Sequence, residues 1–356
     1  VNESDKDAAP ALARKEMAGK GRAWAVHLSL FPLAQRVLNP PFINPHLPKM
    51  YRICRELLPY LSEGEVPALV RLEINEFTQR PKLREFPKPQ GRTSSVSFPD
   101  IETAIKDGDP ERVAALLNAF LKQKREAEMA RNLLLLGSGY LDQSLGHSVS
   151  CTAFILLEMI ERSDQDPWPA LSRLAQYFCE GRFHTTPALR GKALPSEQAL
   201  NRHLLRATSG DGIVNLHHTI TRYAIERVRH LLSEEEYAHM ISCWVGFMGA
   251  KRLKTPSPIS PSEALTEYEG FRQHLSNRAE KPALSCLGGM TSSKEGRQRL
   301  GRYLIKGICD LYQGNYDPHF LTGLGSALWV VNSYWDRPAI AISALRQYVN
   351  YFSSRR

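Results

Sequence analysis

Helix-opening signals recur along this chain, and no segment alternates apolar and polar residues as a half-buried strand must. Asp109-Pro110 pairs an N-cap with proline at the first helical position, and Asp166-Pro167 and Asp317-Pro318 repeat the device. Ser62-Glu63-Gly64-Glu65 and Ser233-Glu234-Glu235-Glu236 read as capping boxes, while Ser260-Pro261-Ser262-Glu263 and Ser292-Ser293-Lys294-Glu295 open further helices. Between these signals apolar residues fall three and four apart, as in Val113, Leu116, Leu117 and Phe120. The stretch from Val149 to Ile160 is apolar on most sides, which places its helix in the middle of a bundle. The pattern predicts an all-α protein with more than ten helices, arranged as a multi-helix bundle or an irregular array of helical hairpins.

Proline sets the expected organisation. Trp24 to Pro48 is apolar but broken by Pro32, Pro40, Pro41, Pro45 and Pro48, so it predicts an irregular segment with a short helix near Leu33–Leu38. Thr78 to Pro99 carries Pro81, Pro87, Pro89 and Gly91 among basic and serine residues and reads as a linker. We therefore expect an N-terminal arm and helical subdomain over residues 1–97 and a main all-α domain over 98–356. Residues 1–22 are polar, read as a loose arm and lack the apolar core of a secretory signal, which makes the cytoplasm the expected compartment.

Composition removes several classes of function. No run of 18 apolar residues exists, so no membrane span is expected. The six cysteines are scattered without a C-x-x-C pair and read as reduced, buried thiols. The net charge of +9 is spread along the chain without an aromatic-rich RNA signature or zinc finger, which reads as a solvated surface with no nucleic-acid partner. A homo-oligomer is compatible with everything above. Phosphate loops, nucleophile elbows, H-E-x-x-H and G-x-G-x-x-G are all absent. Glu236-x-x-His239 has the spacing of a di-iron motif once, but in a charged first turn that suits capping. Glu158, on the apolar helix, needs a partner if buried and reads as half of an ion pair.

What remains is a set of histidines at comparable places. His147 follows Gly146 at the start of the apolar helix, His217 and His218 open Leu216-His217-His218-Thr219-Ile220-Thr221, and His319 follows Pro318. His217 and His218 lie about 100° apart on a helix, so only one can point squarely into a core. His218 shares a face with Arg222, one turn on, and Tyr223 follows. The leading expectation makes His218 an acid/base or electrophilic group, with Arg222 and Tyr223 polarising an oxygen and His147 and His319 lining the same pocket, without a metal. A second makes His147, His217, His218 and His319 ligands of a metal or haem. A third makes the chain a non-catalytic helical scaffold whose histidines cap helices. His27 and His46, in the proline-rich segment, read as surface or packing residues.

Gly146-His147, then Leu216 to Ala224, then His319-Phe320-Leu321-Thr322-Gly323 resemble the questin oxidase-like proteins over about residues 100–352. That resemblance implies an all-helical fold and an NADPH-dependent oxidoreductase of Baeyer-Villiger type. Its substrate would be a hydrophobic, carbonyl-bearing or aromatic small molecule.

Overall fold

The structure, a computed structural model, describes residues 30–38, 40–83, 86–89, 95–189, 193–249, 267–314 and 317–355, together with residue 15. Among them are sixteen α-helices: α1 (Phe31–Gln35), α2 (His46–Leu57), α3 (Val66–Thr78), α4 (Phe98–Lys106), α5 (Pro110–Lys122), α6 (Glu126–Ser138), α7 (His147–Glu161), α8 (Trp168–Gly181), α9 (Glu197–Thr208), α10 (Gly212–Arg227), α11 (Glu234–Phe247), α12 (Tyr268–Ser276), α13 (Glu280–Gly288), α14 (Lys294–Leu311), α15 (His319–Ser333) and α16 (Pro338–Arg355). The only β-pairing among the described residues is an isolated bridge between Val37 and Lys82. The all-α expectation, with more than ten helices, holds. The arm over residues 1–22 and the helix expected at Ser260 lie outside the described residues.

Local signals act as their chemistry requires. The Asp109 carboxylate accepts from the Arg112 amide at 3.0 Å, and the Ser233 amide donates to Glu236 at 2.8 Å in a complete capping box. Two starts move. The short proline-rich helix begins at Phe31, two residues earlier than expected, because Pro32 fits an initial helical position. Ser62 and Glu65 do bond each other, at 2.9 Å through the Ser62 amide, but the α-helix itself begins only at Val66.

Four helices that are not neighbours in sequence form the centre. α2 packs on α7, α7 on α10, α10 on α15, and α15 back on α2. All four run the same way. His46 meets His147 at the start of α2 and α7, and two turns later Arg52 reaches Glu158 at 3.1 Å and Glu161 at 2.7 Å. His147 lies beside His217, and further along Phe154 lies beside Tyr223, with ring centroids 5.3 Å apart. His217 lies beside His319, and Tyr223 stacks on Trp329 at 5.8 Å. Gly325 of α15 presses on Ile53 of α2 so closely that a Cβ there would stand 2.5 Å from Ile53 Cγ2. α2 thus lies N-terminal to the expected boundary at residue 97 yet completes the central ring, and one hydrophobic cluster runs from Leu30 to Phe352.

The far end of the ring is tied by charge. Arg52 and Arg55 converge on Glu158, whose side chain is fully buried, while Arg227 reaches Glu56 at 2.8 Å and the Tyr223 hydroxyl also donates to Glu56. A buried carboxylate held by two guanidinium groups fixes where α2 sits along α7, because a slip of one turn would strand all three charges. Removing it should therefore cost more than one ordinary contact. Glu158→Ala is expected to lower stability by about 3–5 kcal/mol in chemical denaturation. Glu234→Ala, which breaks the exposed Arg229–Glu234 pair, should cost under about 1 kcal/mol.

Candidate metal centre

The parallel ring brings four imidazoles together at its N-terminal end. His46, His147 and His319 occupy the first residue of α2, α7 and α15, and His217 lies in the second turn of α10. All four are buried, with exposures of 1%, 3%, 7% and 1% for His46, His147, His319 and His217. Gly146, which precedes His147, has φ +77°, and a Cβ there would stand 2.1 Å from Thr221 Oγ1, so glycine lets α7 begin against α10.

Hydrogen bonds fix which nitrogen of each ring is free. His147 Nδ1 lies 2.7 Å from the Ser144 carbonyl, and His217 Nδ1 lies 2.7 Å from the Ile213 carbonyl. A carbonyl only accepts, so both rings carry their proton on Nδ1 and, when neutral, present a bare lone pair on Nε2. His319 Nδ1 is 2.5 Å from Asp317 Oδ1, which fixes the same tautomer and leaves His319 Nε2 without a hydrogen-bond partner. The bare nitrogens crowd together. His147 Nε2 lies 3.0 Å from His217 Nε2 and 2.7 Å from His46 Nε2. His46 can donate one proton to His147, but then its own Nδ1 is unpartnered in the interior and the His147–His217 lone pairs still oppose each other.

Either a proton or a metal ion would relieve this apposition. Burial, then the neighbouring imidazoles and Lys49, hold His46, His147 and His217 well below the ordinary histidine range. Burial also lowers His319, although Asp317 works against it. Asp317 itself, despite a burial effect that would raise it, is brought down to about 2 by hydrogen bonds from His319 and Tyr351. The cluster is thus a set of neutral rings, the form that binds metal. Two nitrogens each about 2.1 Å from one ion stand roughly 2.9–3.4 Å apart, close to the observed His147–His217 spacing. Ligand atoms of His46, His147 and His319 lie within 4.8 Å of one another. Each outer nitrogen of His147, His217 and His319 is held by a carbonyl or a carboxylate, the outer-shell support typical of metal-bound histidine.

Of the residues proposed from the sequence, the structure joins His147, His217 and His319 and turns the rest elsewhere. His218 is buried too, but against Phe247, with ring centroids 4.7 Å apart, about 100° round α10 from the cluster. Arg222 bonds Glu226 at 2.8 Å and the Tyr237 hydroxyl at 3.1 Å, and Tyr223 is engaged by Glu56 at the far end of the ring. Of the two adjacent histidines, His217 is the one that faces the cluster. His46, expected to be a packing or surface residue, supplies the fourth ring. The signal that would have found it is Pro45-His46 opening a helix as Pro318-His319 does.

The haem alternative does not fit these nitrogens, because rings 2.7–3.0 Å apart at Nε2 leave no gap for a porphyrin plane. Glu158 pairs with Arg52 and Arg55, as a buried carboxylate requires. A separate cavity of about 250 Å³, walled by Phe86, Trp168 and Leu83 and floored by Gln35 and Ser172, lies between α1 and α8 and is lined by none of the four histidines. Among the described residues no helix is long and apolar enough to cross a membrane. No family model, curated protein or solved structure matches the chain.

The lowered histidines carry a stability consequence. Each binds a proton in the unfolded chain below about pH 6.5 but resists it when folded, so metal-free protein should lose stability as pH falls through 6.5 and on toward the folded-state values. The expected slope approaches about 1.4 kcal/mol per pH unit for each participating histidine. Denaturant midpoints between pH 8 and pH 5.5 measure it; a flat profile over that window would show that the rings titrate alike in the folded and unfolded chain.

Proposed function

We propose that the chain is a metal-dependent oxidoreductase acting on a hydrophobic, carbonyl-bearing or aromatic small molecule. His46, His147 and His319, whose ligand atoms lie within 4.8 Å of one another, hold one first-row transition ion, with His217 standing against His147 at 3.0 Å. The observation that carries the reading is the 3.0 Å approach of two Nε2 atoms whose protons are both committed to Nδ1. An all-imidazole donor set suits iron, copper, nickel or zinc rather than magnesium or calcium. A redox-active ion held there would supply one-electron chemistry and a positive charge to polarise an oxygen. The protein's own part is to keep four rings neutral, to orient three through Ser144, Ile213 and Asp317, and to bury them all.

The redox assignment and the substrate class rest on the resemblance to questin oxidase-like proteins. That resemblance makes NADPH the reductant, and no residue here is assigned to its binding. His218, Arg222 and Tyr223, turned away from the cluster, take no part in this reading.

The test separates the two adjacent histidines. Purified chain titrated with Fe(II) or Co(II) under anaerobic conditions should take up one ion per chain, read by elemental analysis and, for cobalt, by its visible absorption. His147→Ala and His217→Ala should each lower metal affinity by about 10-fold to 100-fold or more, while His218→Ala keeps it. Wild-type chain that retains no stoichiometric ion, or a folded His147→Ala that binds as the wild type does, would sink the proposal.

A further inference from the structure

Beside the histidines lie two cations that form no ion pair with a carboxylate among the described residues. Lys49 is one turn beyond His46 on α2 and has an exposure of 0%, and its Nζ has no hydrogen-bond partner. Arg173 of α8 is also at 0%; its Nη2 donates to the Ile43 carbonyl at 2.9 Å, while Nε and Nη1 have no partner. Both act electrostatically on His46 and on Cys151, which lies one turn beyond His147 on α7, so both lie near that part of the core. Asp317 and Glu180 are felt only at a distance, by Lys49 and Arg173 respectively, and neither pairs with them. Further unpartnered groups lie on the same helices. Ser150 Oγ is on α7, the Tyr177 hydroxyl is one turn beyond Arg173 on α8, and His46 Nδ1 is on α2. The buried Glu158, by contrast, is paired with both Arg52 and Arg55.

A buried ammonium and guanidinium left with free donors cost several kcal/mol each unless an anion meets them. We infer that Lys49 and Arg173 form a buried oxyanion seat beside His46, and that its ligand is a carboxylate. Two oxygens in a plane can accept from both cations at once. A monoanion is also less costly to bury than a phosphate dianion. The inference does not depend on the metal, since the two cations need an anion whether or not an ion occupies the histidines.

Calorimetric titration of metal-free, full-length chain with acetate, at constant ionic strength against chloride, tests it. Saturable binding is expected, weakened about tenfold or more in Lys49→Met and in Arg173→Gln, as loss of one charge-assisted contact implies. Inorganic phosphate should compete weakly. Wild-type chain without saturable acetate binding, a folded Lys49→Met with unchanged affinity, or phosphate binding more tightly than acetate would each overturn the assignment. Where the variants do not fold, wild-type crystals grown with acetate decide the matter: carboxylate density between Lys49 and Arg173 supports the seat, and density only elsewhere refutes it. Because the titration is done without metal, its failure leaves the metal reading standing, and failure of the metal titration leaves the seat standing.

Discussion

Two imidazole nitrogens without protons stand 3.0 Å apart in the interior of this protein, each forced into that state by a carbonyl bound to the opposite side of its ring. Lone pairs so placed repel, and no rotation relieves them, because turning either ring would break its Nδ1 hydrogen bond and leave a buried donor unpaired. Adding a proton is opposed by burial and by the other rings. The arrangement persists because packing elsewhere holds it. An ion bound between the nitrogens, as proposed, would replace that repulsion with coordinate bonds.

That packing consists of a ring of parallel helices, and parallel helices cannot be joined by short turns. The chain returns each time through other elements, so α3 to α6, α8 and α9, and α11 to α14 travel round the outside while α2, α7, α10 and α15 meet at the centre. The gain from this costly connectivity is that all four helix N-termini point the same way. Their partial positive charges add to burial in disfavouring imidazolium, which keeps the rings in the form that donates a lone pair. At the other end Glu158 and Glu56 collect Arg52, Arg55, Arg227 and Tyr223, setting the axial position of α2, α7 and α10. The spacing of the histidines is thus set partly by charges two or more turns away.

Much of the fold was legible because it is written locally. A Ser or Asp cap, a proline at the first helical position and apolar residues three and four apart involve neighbours only, and they located most helices to within a turn. The site was legible as far as the shared position of His147, His217 and His319 at helix starts. Choosing His217 over His218 was not, since the two differ by one step round α10 and only the placement of α7 and α11 decides which faces the cluster. Pairing His218 with Arg222 pointed to a side of α10 away from the cluster, where Arg222 meets Glu226 and Tyr237. His46 was hidden by its surroundings. Five prolines before and around it read as an irregular segment, whereas Pro45 and Pro48 are tolerated at the start of α2, where amides have no intrahelical acceptor.

The electrostatics of the centre pose one further problem. Four helix N-termini, Lys49 and Arg173 together make a positive region, and Asp317, the carboxylate that acts on Lys49, is already committed to His319 and Tyr351. A divalent ion added to such a region would gain imidazole bonds but would meet repulsion from the two buried cations. An anion seated between Lys49 and Arg173 would remove much of that repulsion, and the ion would in turn strengthen the hold on the anion. Thermodynamic linkage makes this reciprocal, with a coupling of about 1–3 kcal/mol typical of two communicating sites. Metal and carboxylate, each able to bind alone, would then each bind more tightly in the other's presence, and the centre would reach its full charge balance with both in place.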